Sequence, residues 1–261
     1  MMASFSAMPD GRDSADAAAC APRAGKVVFV PTPIGNLADI TLRALDALRA
    51  ADLVACEDTR HTRHLLDHHG IKKPMVSFHE HNEAARTAEL VARAQQGACI
   101  AVVSDAGTPG ISDPGLRLVH ACRRDGVACE VLPGACAVPT ALCGSGLPTE
   151  EFFFGGFLPV KRGARERVLR EALARESATS IFYESPHRLD GTLDLLAALE
   201  PGRLTCVARE LTKKFESYHR GTAAELAAWF HEHAPRGEIV LLVAPRQLPK
   251  FMAAAAAPAA G

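Results

Sequence analysis

The segment Val103–Gly115, VSDAGTPGISDPG, sets two serine-aspartate pairs, Ser104-Asp105 and Ser112-Asp113, into a loop rich in glycine and proline. It follows the apolar run CIAVV and precedes the amphipathic LRLVHACRR. Loops at the carboxyl ends of buried strands hold ligands in α/β proteins. This one contains no Lys or Arg. Phosphate cradles use bare backbone N–H groups with a lysine or a helix N-terminus, and Asp105 and Asp113 would repel such a group. Neither G-x-G-x-x-G after the first apolar run nor a Gly-x-x-x-x-Gly-Lys-Ser/Thr loop occurs. A cationic ligand suits the loop better. S-adenosylmethionine carries an ammonium and a sulfonium, which gain from carboxylates, carbonyls and hydroxyls, and its adenine could pack closely on small Ala and Gly residues. The same residues also fit a capped turn with Asp113 near a helix start; the loop alone leaves both readings open.

Other short polar loops end the neighbouring apolar runs: PTPIGN (31–36), EDTR (57–60), HEHNE (79–83) and PGACAVP (133–139). Gathered on one edge of one sheet, they would form a site. Net charge is −1, which excludes bulk attraction to polyanions and leaves only local patches for nucleic acid. Residues 60–73 hold four Lys or Arg and four His against one Asp; residues 161–175 hold six Lys or Arg against two Glu. Solvated helix faces have the same composition. Of the eight cysteines, Cys122, Cys129, Cys136 and Cys143 recur every seven residues, but Gly126, Pro133, Gly134 and Pro139 interrupt any helix that would align them. No C-x-x-C pair exists, and no His lies at zinc-finger spacing. The cysteines read as reduced thiols packing as small hydrophobes, with no metal expected.

The elements that must position these loops alternate. Apolar runs at 27–30, 52–56, 75–78, 99–103 and 127–132 alternate with helical patterns, with Asp39 or Thr41 as one helix start and Gly70 and Gly97 as stops. This predicts an α/β fold with a parallel, helix-covered sheet. After GSGLPTE (144–150) the pattern changes. FFFGGFLP, a basic helix, TSIFYES, the helix HRLDGTLDLLAAL and the runs RLTCVAREL and EIVLLVA, with AAELAAWFHEH between them, predict a second α/β layer with a mixed sheet. The aromatic run reads as an apolar core strand, with base stacking by Phe152, Phe153, Phe154 or Phe157 as the alternative. The expected domains are 25–147 and 148–246, flanked by a disordered leader (1–24) and a flexible tail (247–261). No apolar run is long enough for a membrane helix.

In order along the chain, VVFVPTPIGNLADITLRAL, ACEDTRHTRHLL, SFHEHNE, VSDAGTPGISDPG, SGLPTEEFFFGGFLP, FYESPHRL, RELTKKFE and RGEIVLLV resemble the ribosomal small-subunit RNA methyltransferase I family. That family belongs to the tetrapyrrole-methylase-like, class III, S-adenosylmethionine-dependent methyltransferases. The match spans roughly 25–245; EDTRHTR with the glycine loop is its specific part, and Gly110 departs from it where a larger apolar residue is expected.

The resemblance implies two α/β domains with the cofactor in the cleft between them, a cytoplasmic homodimer, and 2′-O-methylation of a decoding-centre cytidine in 16S rRNA of the small ribosomal subunit. It implies cofactor contacts at Pro31, Ser104, Asp105, Ala106, Gly107, Ile111, Ser112, Pro133, Gly134 and Ala135. From the second domain come Tyr183 with its neighbours, Leu211, Glu238, Ile239 and Val240. A proton must leave the ribose hydroxyl, and a positioned base typically adds about 10²–10⁴ in rate. Asp58 is the preferred base, with Glu57, His79, Glu184 and Lys213 as the others; helix capping or pairing with Arg60 is the structural alternative for Asp58. Arg60, Arg63, Arg165, Arg188 and Lys214 are the expected RNA phosphate contacts. Rival readings are a methylase of cobalamin or siroheme precursors on the same fold and a non-catalytic ribosome-assembly factor.

Overall fold

A computed structural model describes residues 24–255. The expected leader, apart from Ala24, and the last six residues of the expected tail lie outside the described residues. The first half runs β1 (Lys26–Phe29), α1 (Leu42–Ala50), β2 (Leu53–Cys56), α2 (Thr59–His68), β3 (Met75–Ser77), α3 (Glu83–Gln95), β4 (Cys99–Val103), α4 (Leu116–Arg124), β5 (Ala128–Val131) and α5 (Ala137–Ser145). Its five strands form one parallel sheet in the order β3-β2-β4-β1-β5. β2 and β4 are buried along their whole length, as strands covered by helices on both faces must be. One face packs Val27, Phe29, Ile100 and Val102 against Leu90 and Leu118; the other packs Val28, Val54 and Ala101 against Leu48 and Leu66.

Local signals place the helices. Thr41 Oγ1 accepts from the Ala44 amide at the start of α1, and Gly70 and Gly97, at φ +63° and +99°, take the left-handed turns that follow α2 and α3.

The second half runs β6 (Phe152–Phe157), α6 (Arg162–Leu173), β7 (Thr179–Glu184), α7 (Leu189–Leu199), β8 (Leu204–Arg209), β9 (Ser217–Thr222), α8 (Ala223–Glu232), β10 (Ile239–Val243) and α9 (Lys250–Ala255). Its sheet is mixed, in the order β6-β7-β10-β8-β9: β6 and β7 are parallel and the other pairs antiparallel. Strand β9, SYHRGT, carries no apolar alternation and was not expected; it forms because β8 offers it a full ladder of partners. Two further expectations need correction. β6 is an edge strand with Phe152, Phe153 and Phe157 exposed, not an apolar core strand. Residues 250–255 of the expected tail form a helix, and Leu248 and Met252 pack on the second sheet.

Helix α5 joins the halves. Its Val138, Ala141 and Leu142 share a core with Ile181, Cys206, Ala208 and Leu242 of the second sheet. The Tyr218 hydroxyl donates to the Thr140 carbonyl at 3.2 Å, and Arg220 donates to the Gly146 carbonyl at 3.3 Å.

Candidate functional site

The loops that leave β1, β2, β4 and β5 meet the second sheet across a cleft of about 510 Å³, a size suited to a small organic ligand. The glycine loop is its framework and is bolted down at several points. Thr32 and Gly107 exchange backbone hydrogen bonds of 2.9 and 3.0 Å, and Thr32 Oγ1 donates to the Ser104 carbonyl at 3.2 Å. Thr108 Oγ1 donates to the Ala135 carbonyl at 3.0 Å, and the Gly115 amide donates to Glu83 at 2.9 Å. Gly107 has φ +82°, and at Gly115 a Cβ would lie 2.8 Å from the Phe29 ring. Gly110 has φ +88°, which glycine adopts without strain, and it does not line the cleft. The departure from the family pattern therefore sits in an exposed turn beside the site.

Of the sequence-predicted cofactor residues, Asp105, Ala106, Gly107, Ile111, Ser112, Tyr183, Leu211, Glu238, Ile239 and Val240 line the cleft. Pro31, Ser104, Pro133, Gly134 and Ala135 do not; several of them support it from behind. Buried Ser104 donates to the Ala106 carbonyl at 3.3 Å, and a Cβ on Gly134 would lie 2.6 Å from the Pro31 ring. The structure adds lining residues that were not among the expected cofactor contacts: Ile34, Thr108, Asp113, Cys136, Ala137, Phe157, Ser185, Pro186 and Gly237. From the sequence, Asp113 read either as part of an acidic loop suited to a cationic ligand or as a helix cap, and Phe157 as a core residue or a base-stacking one.

Three carboxylates, Glu57, Asp105 and Asp113, converge on one wall. Burial pushes the Asp113 carboxyl up, the Ser104 hydroxyl pulls it back, and the Glu57 and Asp105 charges add to the rise, to about 6. Burial and the Asp105 charge also raise Glu57 above the ordinary carboxylate range, against a hydrogen bond from the Asp105 backbone. Crowded, partly desolvated acids of this kind favour a positively charged ligand. The opposite wall is largely apolar, with Tyr183, Leu211, Ile239 and Val240. Among the described residues, no group of three or more His, Cys, Asp or Glu side chains could hold a metal ion.

The base candidates separate. Asp58 caps α2, accepting from the Arg60 amide at 2.8 Å, and pairs with the Arg60 guanidinium at 2.7 Å. Those bonds hold its carboxyl well below the usual range, and it does not line the cleft. Glu57 does. His79 is fixed by Asn82, which accepts from its backbone amide at 2.9 Å and lies 3.2 Å from Nε2; its Nδ1 is buried with no partner among the described residues. Lys213 bridges Glu210 and Glu238 at 3.0 Å each; burial opposes its charge, but these pairs raise its pKa, so it stays a cation. Glu184 is buried and fully engaged, accepting from the Ser185 amide, Thr192 Oγ1 and Arg188, each at 2.7 Å.

Among the expected RNA contacts, Arg60, Arg63 and Lys214 are exposed. Arg188 is largely enclosed by its pair with Glu184. Arg165 is buried against the first turn of α7, and its Nε has no partner among the described residues. Its place on the inner side of the basic helix corrects its reading as a phosphate contact.

Residues 26–227 match the family of tetrapyrrole (corrin/porphyrin) methylases. The Ribosomal RNA small subunit methyltransferase I of Escherichia coli O157:H7 is 50% identical over 222 residues, covering 84% of this chain and 77% of that protein. Uroporphyrin-III-C-methyltransferase of Thermus thermophilus superposes with a TM-score of 0.59 at 25% identity, covering 87% of this chain and all of the other. Its complex with S-adenyl homocysteine superposes at 0.57 and 19% identity, over 84% of this chain and 97% of that one. The cleft thus lies in a fold shared with tetrapyrrole methylases, while the closely similar sequence is that of a ribosomal RNA enzyme. The chain belongs to the ribosomal RNA small subunit methyltransferase I family, built on the tetrapyrrole-methylase fold.

Proposed function

We propose that this protein transfers a methyl group from S-adenosylmethionine to the ribose 2′-hydroxyl of a cytidine in 16S ribosomal RNA. The observation that carries the reading is the cleft itself, with three crowded carboxylates facing an apolar wall, in a chain half identical to a ribosomal RNA methyltransferase. The cofactor fits these residues. Asp105, Asp113 and Glu57 suit its ammonium and sulfonium charges; Leu211, Ile239 and Val240 suit its adenine; Ala106 and Gly107 leave room for close packing. When bound, it supplies a methyl group made electrophilic by the sulfonium.

This chain's residues do the rest. The bolted glycine loop holds the reacting groups in line, which supplies much of the rate. Glu57 takes the hydroxyl proton: it faces the cleft, and its raised pKa brings it nearer the operating pH. His79 lies near Glu57, and its place there suits it to orient the nucleotide. Asp58 and Lys213 act as supports, Asp58 by capping α2 and Lys213 by tying Glu210 to Glu238. Arg60, Arg63, Lys214 and the outer face of α6 contact RNA phosphates, and Arg188 holds the buried Glu184 in place.

The protein acts in the cytoplasm as a homodimer. With a net charge of −1 it reads the shape of an assembled small subunit more than the charge of naked RNA. Comparing methyl incorporation into free 16S rRNA and into 30S particles tests this: higher incorporation into particles is expected, and equal or better activity on free RNA contradicts it.

A further inference from the structure

The run FFFGGF contains a β-bulge that changes which face its last residue occupies. Phe154 is paired with Ile181, but the next pair is Phe157 with Tyr183, so three steps along β6 match two along β7. Side chains alternate along a strand, and the extra residue turns Phe157 to the face of Phe154 and Tyr183. Both glycines are needed. A Cβ on Gly155 would lie 2.4 Å from the Phe182 ring, and Gly156 has φ +68°. The outcome is an aromatic group in which Phe154 and Phe157 meet Tyr183 edge-on, at 4.9 and 5.2 Å between ring centres.

Within this group Phe157 lines the cleft yet is 61% exposed. Nothing among the described residues covers that exposed part, and bulges beside sites commonly re-aim a side chain. The apolar residues Leu211, Ile239 and Val240 are buried at 3–6% exposure and already provide the deep wall for the cofactor's adenine. Phe157 stands at the rim, where a second ligand must enter. The acidic wall of Glu57, Asp105 and Asp113 repels phosphate, so a nucleotide enters this cleft with its base and ribose leading.

Resting on the function proposed above, we propose that Phe157 is the stacking platform for the base of the nucleotide being methylated. A single-stranded nucleotide turned into an enzyme site needs an aromatic face to replace its lost stacking neighbours, and Phe157 provides one beside the carboxylates.

The test uses the full chain with Phe157→Ala, Phe157→Leu and Phe157→Trp. It measures KM for 30S particles, kcat, and S-adenosylmethionine affinity by calorimetry, the last also reporting correct folding. Alanine and leucine are expected to raise the particle KM about tenfold or more, leave cofactor affinity within about twofold, and be rescued by tryptophan. Leucine matching the wild type would mean that only apolar bulk is needed and would overturn the proposal. So would an unchanged KM, or a loss of cofactor affinity in step with the KM. A wild-type chain that methylates no ribosomal RNA would overturn the underlying functional reading instead, whatever the variants do.

Discussion

The Asp105 carboxylate accepts a hydrogen bond of 3.0 Å from the Asp58 backbone amide, tying the loop after β2 to the loop after β4 across the carboxyl edge of the first sheet. One carboxylate thus sets the position of the neighbouring loop and contributes charge to the cleft. The two roles are separable. Asp105→Asn keeps an acceptor oxygen and loses the charge; it is expected to weaken S-adenosylmethionine binding about tenfold with little change in stability. Asp105→Ala also loses the hydrogen bond, an additional loss of about 0.5–1.5 kcal/mol. Calorimetry and denaturant unfolding of both variants check this; equal cofactor affinity in wild type and Asp105→Asn would contradict it.

Glu57 and Asp58 are adjacent in sequence and divided in role. Glu57→Gln is expected to lower kcat by about 10²–10⁴ while the protein stays folded. Asp58→Ala removes a helix cap and is expected to lower the melting temperature, with kcat reduced less than tenfold. Single-turnover rates and thermal melts of the pair decide the assignment, and the reverse pattern would return the base to Asp58.

Asp113 gives the site a pH dependence whose sign is fixed. Its pKa in the folded chain, about 6, lies above the unfolded value of about 3.9. The stability gained by burying it neutral is therefore full below pH ~4 and lost as pH rises through about 6. Asp113→Asn stays neutral, so its melting temperature should exceed that of the wild type above pH 6 and converge with it near pH 4. A cationic ligand favours the ionised form, so wild-type affinity for S-adenosylmethionine should rise from pH 5 to 7 and flatten beyond. The thioether product lacks the sulfonium charge and should show a shallower rise. A wild-type affinity that is flat across this range would be inconsistent with the acidic wall.

Gly35 marks where the first loop meets the second half of the chain. A Cβ there would lie 2.4 Å from Lys213 Cγ and 2.9 Å from the Leu211 carbonyl oxygen. Gly35→Ala is expected to cost about 1–3 kcal/mol through overpacking and to lower cofactor affinity, because Leu211 lines the cleft. An alanine variant with unchanged melting and binding would show that the two halves separate freely at this point.

The first sheet was legible because its strands are unbroken apolar runs and its helices carry caps and stop glycines in sequence. The strand order was not, since β1 and β4 pair through tertiary packing between segments over 70 residues apart. β9 was missed because a polar edge strand has no periodicity to read. Arg165 was misplaced because charge density along 161–175 does not show which side of α6 faces the sheet. The cofactor loop and its acidity were recognisable from its residues, but the place of Asp113 beside two other carboxylates and of Phe157 in the cleft came into view only with the fold. One needs the approach of Glu57 and Asp105 from other strands, the other an extra residue in a strand whose pairing no local pattern reveals.

Incubating the purified chain with methyl-labelled S-adenosylmethionine and small ribosomal subunits, then mapping the modified nucleotide by mass spectrometry, tests the methyl transfer itself. The expected product is a single 2′-O-methylated cytidine in 16S rRNA, absent when Glu57→Gln replaces the wild type. Label on a base or in a tetrapyrrole, or no transfer at all from a chain that binds the cofactor, would contradict it.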